Sequence, residues 1–250
     1  MTDTRWVRTR SAQHSDFTPT LPSLEAVYLT DPDALASVIP PPLKPPAEPR
    51  VHARITDIDL RFGEHRHKEM VGFFAVDVLY EGQPGEYPLL IPIDLEPAVA
   101  ISRERFGEPK KLADIELVRD GDHVEGRISR QGVTFIEMIG DIAGPLPLPA
   151  PYPATQFWYK FLPAVDGDGF DGDPLLVKVD QLRSPETLER VEGKLVLRDL
   201  PSCPVADLPI KELVSLHWTT RHSTHHPHVV GPVDPEAFKP FAWSRYDAGV

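Results

Sequence analysis

Ile115-Glu116-Leu117-Val118-Arg119-Asp120-Gly121-Asp122-His123-Val124-Glu125-Gly126-Arg127-Ile128-Ser129-Arg130-Gln131-Gly132-Val133-Thr134-Phe135-Ile136-Glu137-Met138-Ile139 is three short apolar runs divided by Asp120-Gly121-Asp122 and Gln131-Gly132. Those dividers are the turn chemistry of antiparallel hairpins. The same grammar continues outward on both sides. Upstream, Val51, Ala53 and Ile55 alternate with His52, Arg54 and Thr56, the two-residue period of a half-buried strand. Val71 to Tyr80 is apolar on both faces, and Glu81-Gly82-Gln83-Pro84-Gly85-Glu86 reads as a hairpin loop leading into Tyr87 to Ile93. Downstream, a proline-rich connection from Pro145 to Pro153 precedes strand patterns at Phe157 to Leu162, Leu175 to Leu182 and Lys194 to Leu197.

Helices are few. Asp31 caps a short helix begun by Pro32, and the Pro40 to Pro46 run ends it and continues as an extended surface segment. Residues 1 to 22 carry no apolar period and read as irregular. The 29 prolines disfavour an all-helical fold, since each removes a backbone donor. No internal repeat or composition shift divides the chain. The expectation is a β-rich α+β fold forming one domain over residues 1–250.

Composition narrows the function class. A formal charge of -12 argues against nucleic acid and anionic membranes as partners. No run approaches the ~20 apolar residues that span a bilayer, and the polar start Met1-Thr2-Asp3-Thr4-Arg5 lacks the apolar core of a signal peptide. A single cysteine, Cys203, excludes an internal disulfide framework. A cytoplasmic protein is the expectation.

One turn stands out chemically. Pro97 to Phe106 reads as a helix, Gly107 suits the left-handed residue past its end, and Pro109 stops the helix from resuming. Lys110 and Lys111 therefore leave a rigid turn at a defined point. Taken alone, adjacent lysines are ordinarily a solvated surface dipeptide. The neighbouring residues change that reading. Glu96 to Glu104 with Pro109-Lys110-Lys111-Leu112 resembles the active-site lysine segment of the acetoacetate decarboxylase-like family. Asp207 to Ser215 is similar to its C-terminal segment, and Val27 to Leu35 to its N-terminal one. The three matches fall in the family's order over about residues 27 to 215.

The resemblance implies antiparallel strands around a closed, cone-like β-barrel, a homo-oligomer, and a lysine that forms a Schiff base without metal or organic cofactor. An amine attacks a carbonyl only when deprotonated. Bringing a lysine from about 10.4 to near 6 takes roughly 6 kcal/mol of destabilisation of the ammonium form. Burial and a neighbouring cation both act in that direction, and acetoacetate decarboxylase is itself the usual illustration of the second. In an extended segment, side chains at 110 and 111 leave opposite faces, so only one enters a given cavity. The dipole of the preceding helix would oppose the shift slightly. The expected division of labour is that Lys110 forms the imine, Lys111 tunes it weakly, and an apolar pocket does most of the activation.

The chain departs from the decarboxylase pattern where the carboxylate would bind. Leu29 stands where the family carries an arginine, and leucine cannot pair with an anion. Arg54 falls where the family has a glutamate; Glu69 is the match for a second family glutamate, and Glu108 places a new carboxylate before Pro109. These changes favour a small oxo-acid substrate of the pyruvate type, with Arg54 holding its carboxylate and Glu69 or Glu108 moving protons. The expected activity is a 2-oxo-acid aldolase-dehydratase or hydratase; the alternatives are decarboxylation of a 3-oxo acid and a non-catalytic barrel that binds an oxo acid. Two further signals are set aside. His217, His222, His225, His226 and His228 lie in a polar, proline-broken segment without helical ligand spacing, and read as solvated or interface residues rather than a zinc site. Asp166 to Asp173 lacks the ordered ligands and closing glutamate of a calcium loop and reads as a hairpin turn. Trp158-Tyr159 and the Trp243, Tyr246 pair are candidate subunit contacts.

Overall fold

Alternating strand patterns and scarce helix formers give a sheet protein. The computed structural model describes residues 20–62 and 65–247, with the side chains of 60–67 outside that description. Eleven strands run in chain order: β1 Thr20–Leu29, β2 Arg50–Phe62, β3 His65–Tyr80, β4 Gln83–Ile93, β5 Lys110–Leu112, β6 Asp114–Asp120, β7 His123–Arg130, β8 Val133–Pro145, β9 Tyr152–Lys160, β10 Leu175–Leu197 and β11 Glu212–Pro232. Three α-helices accompany them: α1 Pro32–Ser37, α2 Glu96–Phe106 and α3 Pro235–Ala242. Of residues 1–22, read as irregular, 1–19 lie outside the described residues, and 20–22 instead begin β1, paired with β11. No described helix is long and apolar enough to cross a membrane.

The strand pairings return on themselves. The order β11-β1-β2-β3-β4-β9-β10 closes through pairing of β10 with β11, and the β4–β9 step is one parallel bridge, Glu86 to Gln156. This is a ring of strands, as the resemblance implies. β10 is shared: its first half pairs with β9 and β11, and its second half leads away to β8, then β7 and β6. The two separate strands expected at 175–182 and 194–197 are therefore one 23-residue strand. The polar residues between them continue the ladder because their faces are half open to solvent.

The main apolar core lies against one face of the ring. Leu24, Ala26, Tyr28, Val51, Ala53, Ile55, Phe74 and Val76 meet Val124, Ile128, Phe135 and Met138 of β7 and β8 there. Gly126 lets β7 come close, since a Cβ on it would sit 2.9 Å from Ile55 Cδ1. The other face of the same strands is not solvent. Arg54 and Thr56 are 8% and 6% exposed, so β2 is buried on both sides rather than half-buried. The expected 81–86 loop is also shorter than read. Only Glu81 and Gly82 turn, both at positive φ, and Gln83 already belongs to β4. That is the two-residue turn whose twist suits a hairpin.

Gly107 ends α2 as expected. Its φ is 85°, and its amide donates to Ser102 O and Arg103 O. A Cβ there would lie 2.4 Å from Tyr159 O, a backbone atom that cannot swing away. Gly107→Ala is expected to destabilise by more than the ~1–2 kcal/mol of the left-handed conformation alone, read as a lowered urea midpoint with unchanged slope.

Candidate active site

Lys110 is fixed by its backbone before its side chain does anything. Its carbonyl accepts a hydrogen bond from Arg103 Nε at 2.7 Å, and β5 pairs in parallel with β4, placing Lys110 opposite Ile91. Glu108 and Lys110 flank Pro109, and residues two apart in extended chain project to the same side. Lys110 Nζ consequently lies 3.1 Å from Glu108 Oε2 and 3.1 Å from Ser102 Oγ of α2.

The amine opens into a cavity of about 230 Å³ on the inner side of the ring. Its walls carry Arg54 from β2, Glu69 from β3, Trp158 from β9, Gln181 and Arg183 from β10, and Arg221, Ser223 and His225 from β11. Pairing explains the convergence. Glu25 sits across from Arg54 and from His217, and Arg54 across from Phe73, so one row of inward side chains crosses four strands.

Two buried carboxylates organise these cations. Glu25 lies 2.7 Å from Arg54 Nε, 3.4 Å from His217 Nε2, and hydrogen-bonds Arg221. Glu86 accepts both terminal nitrogens of Arg183 at 2.8 Å and Gln156 Nε2 at 3.1 Å, with Arg54 3.8 Å away. Burial pushes both carboxyl pKa values up, but the guanidinium groups outweigh it. Arg221 and Arg54 hold Glu25 well below the usual range, and Arg183 and Arg54 do so for Glu86. Burial lowers Arg54, whereas for Arg183 it is outweighed by Glu86, which raises it. His225 lines the cavity although much of its residue is exposed; desolvation of the ring on the cavity side, then the Arg183, Arg221 and Arg54 charges, lower its pKa and favour neutral imidazole.

The cavity holds polar capacity that the protein does not use. Among the described residues, three buried side-chain polar atoms that line this cavity lack a hydrogen bond: Arg221 Nε, Trp158 Nε1 and Ser223 Oγ. Such atoms cost free energy when left unmet, which is why buried polar groups are ordinarily paired. Their concentration in one place marks a surface shaped for a polar ligand.

The structure thus brings Lys110, Glu108, Glu69 and Arg54 together, and it does not bring Lys111 or Leu29 to them. Lys111 takes the opposite face of β5, as an extended strand requires. Its Nζ binds Ser202 O at 2.5 Å and lies 3.4 Å from Tyr246 O, lining a different cavity. Leu29 ends β1 beyond a register shift at Val27/Tyr28, paired with Arg50 and Glu212, and lines neither cavity. The Lys110 cavity combines apolar walls, Ile58, Val71, Phe73, Ile91 and Trp158, with Arg, Glu or Gln at inward positions on five strands. Glu25, Glu86, Ser102, Arg183 and Arg221 escaped the sequence reading. A signal existed in β10 and β11, where Gln181 and Arg183, and Thr219, Arg221 and Ser223, recur every second residue.

The other candidates resolve differently. The histidines lie on one continuous strand, β11, which runs through Pro227. They are dispersed: His217 faces Glu25, His222 faces Glu186 and His228 faces Asp180. Among the described residues no group of three or more His, Cys, Asp or Glu is disposed to hold a metal. Trp158 and Tyr159 are buried within the chain, Trp158 against Phe106 and Tyr159 stacked on Phe238, so they are not subunit contacts.

Comparison with known proteins gives a consistent picture. The family model described as "Acetoacetate decarboxylase (ADC)" matches residues 5–232. A curated acetoacetate decarboxylase from Burkholderia multivorans is 31% identical over 210 residues, covering 75% of this chain and 76% of its own. The solved acetoacetate decarboxylase from Legionella pneumophila superposes with a TM-score of 0.75 at 22% identity, covering 93% of each chain. The enduracididine biosynthesis enzyme MppR, in complex with pyruvate, superposes with a TM-score of 0.72 at 16% identity, covering 89% of this chain and 93% of its own.

Proposed function

The chain belongs to the acetoacetate decarboxylase family and is a lyase, and from that premise we propose that Lys110 condenses with a 2-oxo acid of pyruvate size, whose enamine adds to an aldehyde and then loses water. The observation that carries this reading is the Glu108 carboxylate 3.1 Å from Lys110 Nζ. Forming an enamine from pyruvate requires removal of a proton from carbon, and a carboxylate beside the amine is placed to take it. Loss of CO₂ from a 3-oxo acid requires no such base.

The steps follow from the groups present. Glu108 takes the ammonium proton, and the Nζ lone pair adds to the keto carbon. Glu108 gives that proton to the carbinolamine hydroxyl, which leaves as water as the iminium C=N bond forms, so that Glu108 is again a carboxylate. Glu108 or Glu69 removes a methyl proton, and the electron pair becomes the enamine double bond. The enamine carbon attacks the aldehyde carbon, whose oxygen accepts a proton. A carboxylate takes a second proton from the former methyl carbon and returns it to the hydroxyl, which leaves as water as the C=C forms, and hydrolysis of the imine releases an unsaturated 2-oxo acid and free Lys110.

Arg221 Nε supplies an unmet N–H donor, and Arg54 a neighbouring guanidinium charge, for the carboxylate, which keeps its charge throughout. A guanidinium that grips a carboxylate in the ground state works against its departure as CO₂, since only interactions stronger in the transition state accelerate a step. MppR, which shares the fold, is described with pyruvate bound. The names of the curated relatives favour a second reading, decarboxylation of acetoacetate.

Proton exchange separates the two. In D₂O the protein is expected to exchange the methyl protons of pyruvate, followed by NMR, and Glu108→Gln should slow this by roughly 10²–10⁴-fold. Acetone production from acetoacetate without pyruvate exchange would establish the second reading instead.

A further inference from the structure

The residue beside the candidate nucleophile opens a second site. On the far side of β5 lies another cavity of about 230 Å³, walled by Val38, Phe74, Leu90, Val205, Leu208 and Phe241. An apolar cavity of about 150 Å³ is enough to admit benzene, so this one takes a ligand somewhat larger. Its polar lining includes Lys111, whose residue is only 2% exposed.

We propose that this cavity binds a small apolar aldehyde or ketone, captured as an imine on Lys111, at a site separate from that of Lys110. Several features of Lys111 favour attack. Burial lowers its pKa and Arg130 adds to the effect, outweighing Cys203 and Asp247, which push it up. Asp247, 3.5 Å from Nζ, is already held at both oxygens by Arg130 at 2.8 and 2.6 Å, so its charge is largely answered elsewhere. Ser202 O and Tyr246 O are the two remaining acceptors. A neutral amine has two N–H groups, which satisfy both carbonyls and leave its lone pair unengaged. The apolar walls select against charged oxo acids and for hydrocarbon-bearing carbonyl compounds.

The reaction balances without a co-reactant. The Nζ lone pair adds to the carbonyl carbon, the two amine protons end on the carbonyl oxygen, and water leaves as C=N forms. Borohydride then delivers hydride to the imine carbon and fixes the adduct.

The test uses the intact protein with pentanal and borohydride, followed by peptide fragmentation that distinguishes Lys110 from Lys111. Lys111 is expected to be modified at least severalfold faster than the exposed Lys44 and Lys68, because its lowered pKa leaves more of it as free amine and the apolar walls hold the aldehyde against it. Modification should saturate with pentanal concentration and persist in Lys110→Met. Modification of Lys111 no faster than of Lys44 and Lys68 overturns the proposal. A parallel reaction with pyruvate reads Lys110 separately, so failure at one lysine does not disguise failure at the other.

Discussion

Lys110→Ala is expected to lower turnover of the oxo-acid substrate by about 10⁴-fold or more, the scale on which removal of a nucleophile acts. The fold should survive. Lys110 is held through its backbone carbonyl and the β4 pairing, which alanine keeps, and among the described residues its amine pairs with Ser102 and Glu108. Lys111→Met should behave oppositely. It strands Ser202 O and Tyr246 O, costing about 1–3 kcal/mol of stability, while imine formation at Lys110 continues. Steady-state kinetics beside urea denaturation reads both effects. A Lys110→Ala protein with full turnover would mean that the amine is not the nucleophile.

Glu86→Gln is expected to carry the largest stability loss, about 3–5 kcal/mol at pH 7, because it leaves Arg183 buried without its bidentate carboxylate. The pH dependence follows from the direction of the shift. Glu25 and Glu86 have folded pKa values below the ordinary 4.5. Between 4.5 and those lower values the unfolded chain binds more protons than the folded one, so stability rises with pH there. The contribution is fully present above about pH 4.5 and is lost as pH falls toward the folded values. Urea denaturation from pH 7 to pH 3 should show this decline, and Glu86→Gln should show a shallower one, since one of the two linked groups is gone. An unchanged slope would place the linkage elsewhere.

The sequence carried the sheet well where turn and period agreed. Gly121, Gly132 and Gly107 mark chain reversals that local chemistry demands, and the hairpins and the lysine turn follow from them. It carried α3 poorly, although Asp234 and Pro235 are a plain helix start. β11 was obscured by its histidines and Pro227: polar residues on a strand with paired neighbours on both sides look, in one dimension, like a loop. The site was half legible. Lys110, Glu108, Arg54 and Glu69 stand close to features that draw attention, a rigid turn or a matched position. Arg183 and Arg221 lie 73 and 111 residues beyond Lys110 by number, and only closure of the ring brings them to it. The charged part of the cavity was hidden for the same reason, since the interior is built from alternate residues of strands whose other faces hold the core.

The account rests on an imine at Lys110, and borohydride trapping with peptide mapping tests it most directly. The protein is incubated separately with pyruvate and with acetoacetate, then reduced and digested. The account predicts a reduced pyruvate adduct on Lys110, lost in Lys110→Ala. An acetone-derived adduct from acetoacetate with none from pyruvate would contradict the 2-oxo-acid assignment, and no adduct on Lys110 from either would contradict the nucleophile itself.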